Sequence, residues 1–351
     1  MQIICICIRS DKMKRLSIFM FILVIMATGC QTAAKEPSSA NTLESIERNE
    51  GVSAEKNKLT IVATLFPQYD FARQIGGNYV DVTLLLPPGV EAHAYEPTPK
   101  EIATIQSSDL LIFTGDGMEP WVSNMLDTLT SEELQILDVS KNVTLLKSDD
   151  DEDEHQVDEH GNGDVEHDTE HEHGAYDPHI WLDPQNAMIM VDNILKSFIA
   201  LDPDHQSIYE DRADTLIKSL GELDETMLAY FETLDNPTII YGGHYAFSYF
   251  SKRYGLAYMS PYTGFSPDAE PTPQHIARLI DAINESQIKT IYYEELISPK
   301  VAEVVADETG AHMLLLHGVH NISNDELARG ETYLSLMYAN LERLKEGLSH
   351  E

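Results

Sequence analysis

The sequence predicts an α/β protein of two lobes, each a mostly parallel sheet flanked by helices, joined by one long rigid linker helix, with a cleft between the lobes. Three observations carry that expectation. From Lys58 to Val139 short aliphatic and β-branched runs alternate with helical stretches, the pattern of a parallel sheet covered on both faces. From Thr238 the alternation restarts. Between the two runs one helical stretch of about thirty residues, roughly 45 Å if unbroken, exceeds an ordinary domain helix.

The first lobe opens with a strand over Lys58 to Thr64. A helix from Phe66 to Ile75 follows, stopped by Gly76-Gly77, and then a strand from Tyr79 to Leu86. A helix from Pro99 to Gln106, a strand from Asp109 to Thr114, a helix over Glu119 to Leu129 and a strand from Leu134 to Val139 complete the sheet. Pro184 to Ala200 reads as a further helix, closing a lobe over residues 58–201. Asp202-Pro203 then supplies an N-cap and a first-turn proline for the linker, residues 202–235. The second lobe, residues 236–351, reads as strand Thr238 to Tyr241, helix His244 to Tyr254, strand Leu256 to Met259 and helix Thr272 to Glu285. Strand Lys289 to Tyr293, helix Pro299 to Thr309, strand His312 to Leu316 and a last helix from Thr332 to Leu348 follow. In open sheets of this kind ligands bind beyond the carboxyl ends of the strands.

The N-terminus has a different character. Lys14 and Arg15 precede an apolar run from Leu16 to Met26, the charged and apolar regions of a secretion signal, too short for a stable membrane span. It ends in Ala27-Thr28-Gly29-Cys30, which resembles the lipobox of bacterial lipoproteins with Ala27 where leucine is usual. Residues 1–30 therefore read as a signal segment with Cys30 as the lipidated residue. A start at Met13 would leave Met1 to Lys12 as an upstream extension. The polar residues 31–57 read as a tether. With Cys5, Cys7 and Cys30 the only cysteines, the domain beyond Cys30 holds no internal disulfide. A formal net charge of -36 argues against a nucleic-acid partner.

Between Ser148 and Gly174 the chain carries five histidines, His155, His160, His167, His171 and His173, among thirteen acidic residues. Such a tract builds no core, and acid alone would be a solvated insertion. Interleaved imidazole changes the chemistry, because neutral histidine suits zinc, copper or nickel whereas calcium and magnesium prefer oxygen. These five are candidates for weak metal capture.

Four other histidines, His93, His179, His244 and His320, each sit just after a strand or in a loop leaving one. Singly, each has the ordinary reading of a cap or a hydrogen-bonded surface residue. Jointly, two from each side would bind a metal in the cleft, with Glu91, Asp177, Asp183 and Glu294 as candidate partners for the second ring nitrogen. His205 and His275, at helix starts, read as caps, and His312 as a partly buried strand residue. Trp121 and Trp181 read as core anchors, with Trp181 a possible wall of the cleft.

Three segments make the pattern specific: Leu86-Pro87-Pro88-Gly89-Val90-Glu91-Ala92-His93-Ala94-Tyr95-Glu96-Pro97, Asp177-Pro178-His179-Ile180-Trp181-Leu182-Asp183-Pro184 and Gly243-His244-Tyr245-Ala246-Phe247. With Glu294 to Lys300 and Gly330 to Leu334 they resemble the zinc/manganese family of solute-binding lipoproteins serving bacterial ABC importers, in its zinc branch. The resemblance covers Leu59 to the C-terminus and implies extracytoplasmic capture of Zn2+ by a lipid-anchored, monomeric protein. Its implied partners are a membrane permease and an ATPase. It implies His93, His179 and His244 as ligands; manganese members usually carry a carboxylate at the third position, so His244 favours zinc over a manganese cargo. The fourth family ligand is usually Asp or Glu; here His320 falls in that place, with His317, Asp325 or water as alternatives. If all four are histidines, affinity should fall as pH drops through ~6.5, the ordinary imidazole value. A secreted zinc hydrolase would need three ligands and an open position, but no HExxH or GxSxG motif accompanies the histidines. An adhesin role would be additional to import.

Overall fold

The computed structural model describes residues 58–126, 131, 133–147, 176–244, 246–262, 271–286 and 288–349, all within one compact unit. The signal segment with Cys30, the tether and the histidine-rich tract, with His155, His160, His167, His171 and His173, lie outside the described residues. Among those described, no helix is long and apolar enough to cross a membrane.

Strands β1 (Leu59–Ala63), β2 (Val80–Leu84), β3 (Leu110–Phe113) and β4 (Gln135–Asp138) form one sheet in the order β2-β1-β3-β4, every pair parallel. All four residues of β3 are buried, as a central strand covered on both faces requires. Helices α1 (Phe66–Gly76), α2 (Pro99–Gln106) and α3 (Pro120–Leu126) connect these strands. Thr98 and Glu101 cap α2 reciprocally, satisfying two otherwise orphaned donors.

The second half repeats the order. Strands β5 (Thr238–Ile240) and β6 (Ala257–Met259) pair in parallel, as do β7 (Thr290–Tyr293) and β8 (His312–Leu315). A parallel bridge between Tyr241 and Tyr292 joins the pairs, giving β6-β5-β7-β8. In both halves the order reverses between two central strands, so loops leaving their carboxyl ends diverge and open a crevice. Helices α6 (Ser248–Tyr254), α7 (Pro273–Glu285), α8 (Lys300–Thr309), α9 (Asn324–Arg329) and α10 (Tyr333–Leu348) complete this half.

Between the sheets run α4 (Pro184–Leu201) and α5 (Gln206–Phe231). The α5 helix has 26 residues, about 39 Å at 1.5 Å per residue. Its start differs from expectation: Pro203–His205 is a 3-10 turn, and Asp202 makes no side-chain cap. The Asp202 carboxylate instead accepts from the Tyr209 hydroxyl at 2.8 Å and meets His205 Nδ1 at 2.5 Å. Buried Tyr209, Ala213, Leu216, Leu220, Leu223, Met227 and Phe231 recur every three or four residues, so α5 is packed along its length rather than free. Near its start Arg212 donates to the Gly76 carbonyl at 2.7 Å; at its end the Phe231 ring meets Phe250 and Tyr254.

The main core is continuous across both sheets. Phe71 of α1 packs edge-on against Tyr333 of α10 with ring centroids 5.0 Å apart, and the Tyr333 backbone N–H donates to the buried Asp70 carboxylate at 2.8 Å. Trp181 is fully buried and its indole N–H donates to the Gly318 carbonyl at 2.8 Å. His312, expected to be partly buried, is exposed at the start of β8, where only the following residues turn inward.

Candidate metal centre

Each candidate histidine is placed by a loop at the carboxyl edge of a sheet. His93 lies between β2 and α2, in a loop that turns at Gly89, whose φ of 84° lies in the left-handed region that glycine enters freely. His179 precedes a short 3-10 turn, Ile180–Leu182, that leads into α4. His244 follows β5 through Gly242-Gly243, and helix α6 begins only at Ser248, so it occupies a loop and not the helix start the sequence suggested. The glycines are demanded by space: a Cβ on Gly242 would lie 2.8 Å from the Ala302 Cβ, and one on Gly243 would lie 2.9 Å from the Glu294 carboxyl group.

The fold brings three of the four together. His179 Nε2 lies 3.2 Å from His93 Nε2 and 3.4 Å from His244 Nε2, and one ligand atom of each ring falls within 4.8 Å of the others. At the opposite ring nitrogens, His179 Nδ1 meets Asp177 Oδ1 at 2.8 Å and His244 Nδ1 meets Glu294 Oε2 at 2.5 Å. An ionised carboxylate only accepts, so with Asp177 and Glu294 ionised both Nδ1 atoms donate, and in the neutral rings both Nε2 lone pairs point inward. Ring nitrogens this close either share a proton or converge on a cation. A tetrahedral ion with Zn–N of about 2.0 to 2.1 Å sets neighbouring nitrogens ~3.3 to 3.4 Å apart, so the arrangement can hold one such ion with little movement.

Burial decides the protonation of these rings. It drives His179 well below the ordinary histidine value, with the His244 charge adding to the effect. His93 is likewise pushed well down by burial and by both neighbouring histidines. For His244 burial also lowers, but the hydrogen bond and charge of Glu294 outweigh it, and the net direction is upward. Burial raises Asp177 to about 7.

His320 is buried and beside the group but outside it, its ring centroid 6.4 Å from that of His244. Burial lowers it to about 3. Of the alternatives, His317 is fully buried and turned toward Glu295 and Glu326, with Nδ1 accepting from the Val319 N–H at 2.9 Å. Asp325 lies exposed on the first turn of α9, a helix signalled by the Ser323-x-x-Glu326 capping box but not anticipated. Of the four carboxylates considered, Asp177 and Glu294 hold histidines. Asp183 caps α4 through the Gln185 N–H, and Glu91 accepts from the Ala94 N–H in its own loop. Glu295, which sequence reasoning passed over, lies between His317 and His320; the adjacent acid pair after β7 was its only signal. Trp181 lines the site, its ring edge-on to His179 at 5.4 Å.

Residues 61–347 match the family described as ZnuA, zinc-uptake complex component A, periplasmic. The chain belongs to this family. It is 36% identical over 292 residues to the high-affinity zinc uptake system protein ZnuA of Bacillus subtilis, covering 83% of this chain and 88% of that protein. It is 33% identical over 296 residues to the zinc-binding lipoprotein AdcA of Streptococcus pneumoniae, covering 84% of this chain but 56% of AdcA, so it spans little more than half of that relative. The crystal structure of the Zn(II)-bound ZnuA-like domain of AdcA superposes with a TM-score of 0.68 at 30% identity, covering 83% of this chain and 99% of the domain. The two-sheet architecture is thus that of solved ZnuA-like structures, and the chain is a zinc-uptake family component.

Proposed function

We propose that this ZnuA-family chain is the extracytoplasmic subunit of an ABC importer, which captures Zn2+ between its lobes and passes it to a membrane permease powered by an ATPase. The observation that carries this is the convergence of three Nε2 atoms, two of them backed by carboxylates on Nδ1. His93, His179 and His244 are the ligands in this reading, and His320 closes the fourth position by a modest approach. An all-nitrogen donor set favours a borderline-soft ion over manganese. His179 and His244 are buried while His93 is half-buried, so the ion enters and leaves on the His93 side.

Residues 58–201 and 236–351 are the lobes in this reading and residues 202–235 the linker. Because α5 is packed over its whole length, release works through loops and small lobe shifts rather than a wide hinge. Cys30 is the lipid anchor and residues 31–57 the tether, holding the protein at the outer face of the cytoplasmic membrane. His155, His160, His167, His171 and His173 gather zinc weakly near the cleft.

Elemental analysis and chelator competition on the purified protein test the proposal. About one tightly held zinc per chain is expected, lost in His179→Ala and retained when residues 149–173 are deleted. Manganese in place of zinc, or loss of tight binding with the deletion, would reject the assignment. Turnover of ester or peptide probes by the zinc-loaded protein would favour the hydrolase reading instead.

A further inference from the structure

Beside the three-histidine group lies an incomplete pairing. Glu295 is 7% exposed and its Oε2 accepts from the Gly318 N–H at 2.7 Å. Its other oxygen, Oε1, is buried without a hydrogen-bond partner among the described residues, and so is His320 Nδ1. These two atoms are 3.7 Å apart. His317 Nδ1 is nearer to Oε1, at 3.3 Å, but accepts from the Val319 N–H at 2.9 Å, and a ring nitrogen that accepts has no proton to offer there. The donor left for Oε1 is His320 Nδ1–H.

We propose that Glu295 is a positioning residue: it takes the Nδ1 proton of His320 and so aims His320 Nε2 at the metal as the fourth ligand. The inference rests on the zinc-capture reading and on His320 as the fourth ligand. It extends to a third histidine the relation that Asp177 has with His179 and Glu294 with His244. A buried ring N–H left without an acceptor is costly, so closing the 3.7 Å separation to an ordinary hydrogen-bond length, a movement of somewhat under ~1 Å, is favourable on its own. The surrounding backbone is bent to permit it. Leu296, next to Glu295, has φ 65°, and Val319, next to His320, has φ 61°, both in a region that side-chain-bearing residues seldom occupy and that clusters at functional sites. Gly318 leaves the gap clear: a Cβ there would stand 3.1 Å from His320 Nδ1 and 3.4 Å from Glu295 Oε1.

A double-mutant cycle on zinc affinity tests this, using chelator competition on the purified wild type, Glu295→Gln, His320→Ala and the double variant. Glu295→Gln keeps the volume and removes the ionised acceptor. It should weaken zinc by about 10- to 100-fold in the wild-type background and add almost nothing in His320→Ala. Cobalt-loaded Glu295→Gln should show the same change in visible absorption as His320→Ala, since both lose the same ligand. Equal weakening in the two backgrounds would make Glu295 a source of negative charge or a structural residue and overturn the inference. If His320→Ala weakens zinc while Glu295→Gln does not, the ligand reading stands and the positioning role fails. If His320→Ala binds zinc as wild type does, the fourth-ligand reading itself fails. Glu295→Ala, with its thermal unfolding measured without metal, repeats the comparison should the glutamine amide rebuild the contact.

Discussion

The Nε2 atoms of His179 and His244 stand 3.4 Å apart in the protein interior, each ring held from behind by a carboxylate, Asp177 or Glu294. Two ring nitrogens brought face to face in this way can share a proton or, in its place, a cation. The relation is tertiary: His179 leaves the stretch before α4 and His244 leaves β5, 65 residues apart in sequence.

Removing a backing carboxylate should loosen its ring. Asp177→Asn keeps the shape but presents a weaker acceptor to His179 Nδ1 and to the His179 N–H, which now donates to Asp177 Oδ1 at 2.9 Å. Zinc affinity should fall about 10- to 100-fold, with fold retained by circular dichroism. Unchanged affinity would show that packing against Trp181 alone orients the ring.

The pH dependence of binding should be shallow. Burial holds His93 and His179 well below the ordinary value, so they stay neutral near pH 7, whereas His244 is shifted upward and carries the proton that competes with zinc at Nε2. Affinity should therefore fall as pH drops through a value above ~6.5, with release of about one proton per zinc. Calorimetry in buffers of different ionisation enthalpy reads this number. Release of three or more protons between pH 6 and 7.5 would mean that the rings are solvated before zinc arrives.

Glu119 gives a stability prediction that is independent of metal. It is buried, bonded by the Thr64 hydroxyl and the Thr114 N–H, and burial raises it to about 8 from 4.5. A raised folded-state value means that the native protein keeps a proton the unfolded chain releases. The associated stability is present below 4.5 and lost as pH rises toward 8. Glu119→Gln should flatten the decline, gaining on the order of a few kcal/mol over wild type at pH 8.5. Thermal melts of the metal-free protein from pH 5 to 9 that run parallel would contradict it.

Asp70 ties the two halves by accepting the Tyr333 N–H at the start of α10 while also bonding Arg73 and Gln74. Asp70→Ala strands that buried donor and should cost about 1 to 3 kcal/mol in urea unfolding. Zinc stoichiometry should not change, because the Asp70 carboxylate bonds Tyr333, Arg73 and Gln74 and none of the histidines.

Gly242→Ala should be more severe than a surface change. Its new Cβ would meet Ala302 at 2.8 Å from the Cβ and 3.1 Å from the backbone N, and α8 cannot yield as a flexible side chain would. Displaced from its loop, His244 would lose register with Glu294. A loss of tight zinc with a lowered melting temperature is expected; retention of both would show that α8 shifts freely.

Much of this was legible in the chain itself. The alternation of aliphatic strands and helical stretches determined the two parallel sheets to within a residue or two at most ends, because side-chain periodicity and capping residues act locally. The loop positions of His93, His179 and His244 after strand-like runs pointed to one site, and the Asp177-x-His179 spacing put a carboxylate beside its ring. What the chain could not determine alone were the contacts made at a distance. The start of α5 moved because Asp202 was taken by His205 and Tyr209. The start of α6 moved because the chain had to carry His244 to Glu294 first. The lesser separation of His93, His179 and His244, with His320 set one step away beside Glu295, was decided only when loops from both sheets met across the crevice. There burial, contacts between ring nitrogens and the few available acceptors choose each ring's orientation, and none of these acts on an isolated segment.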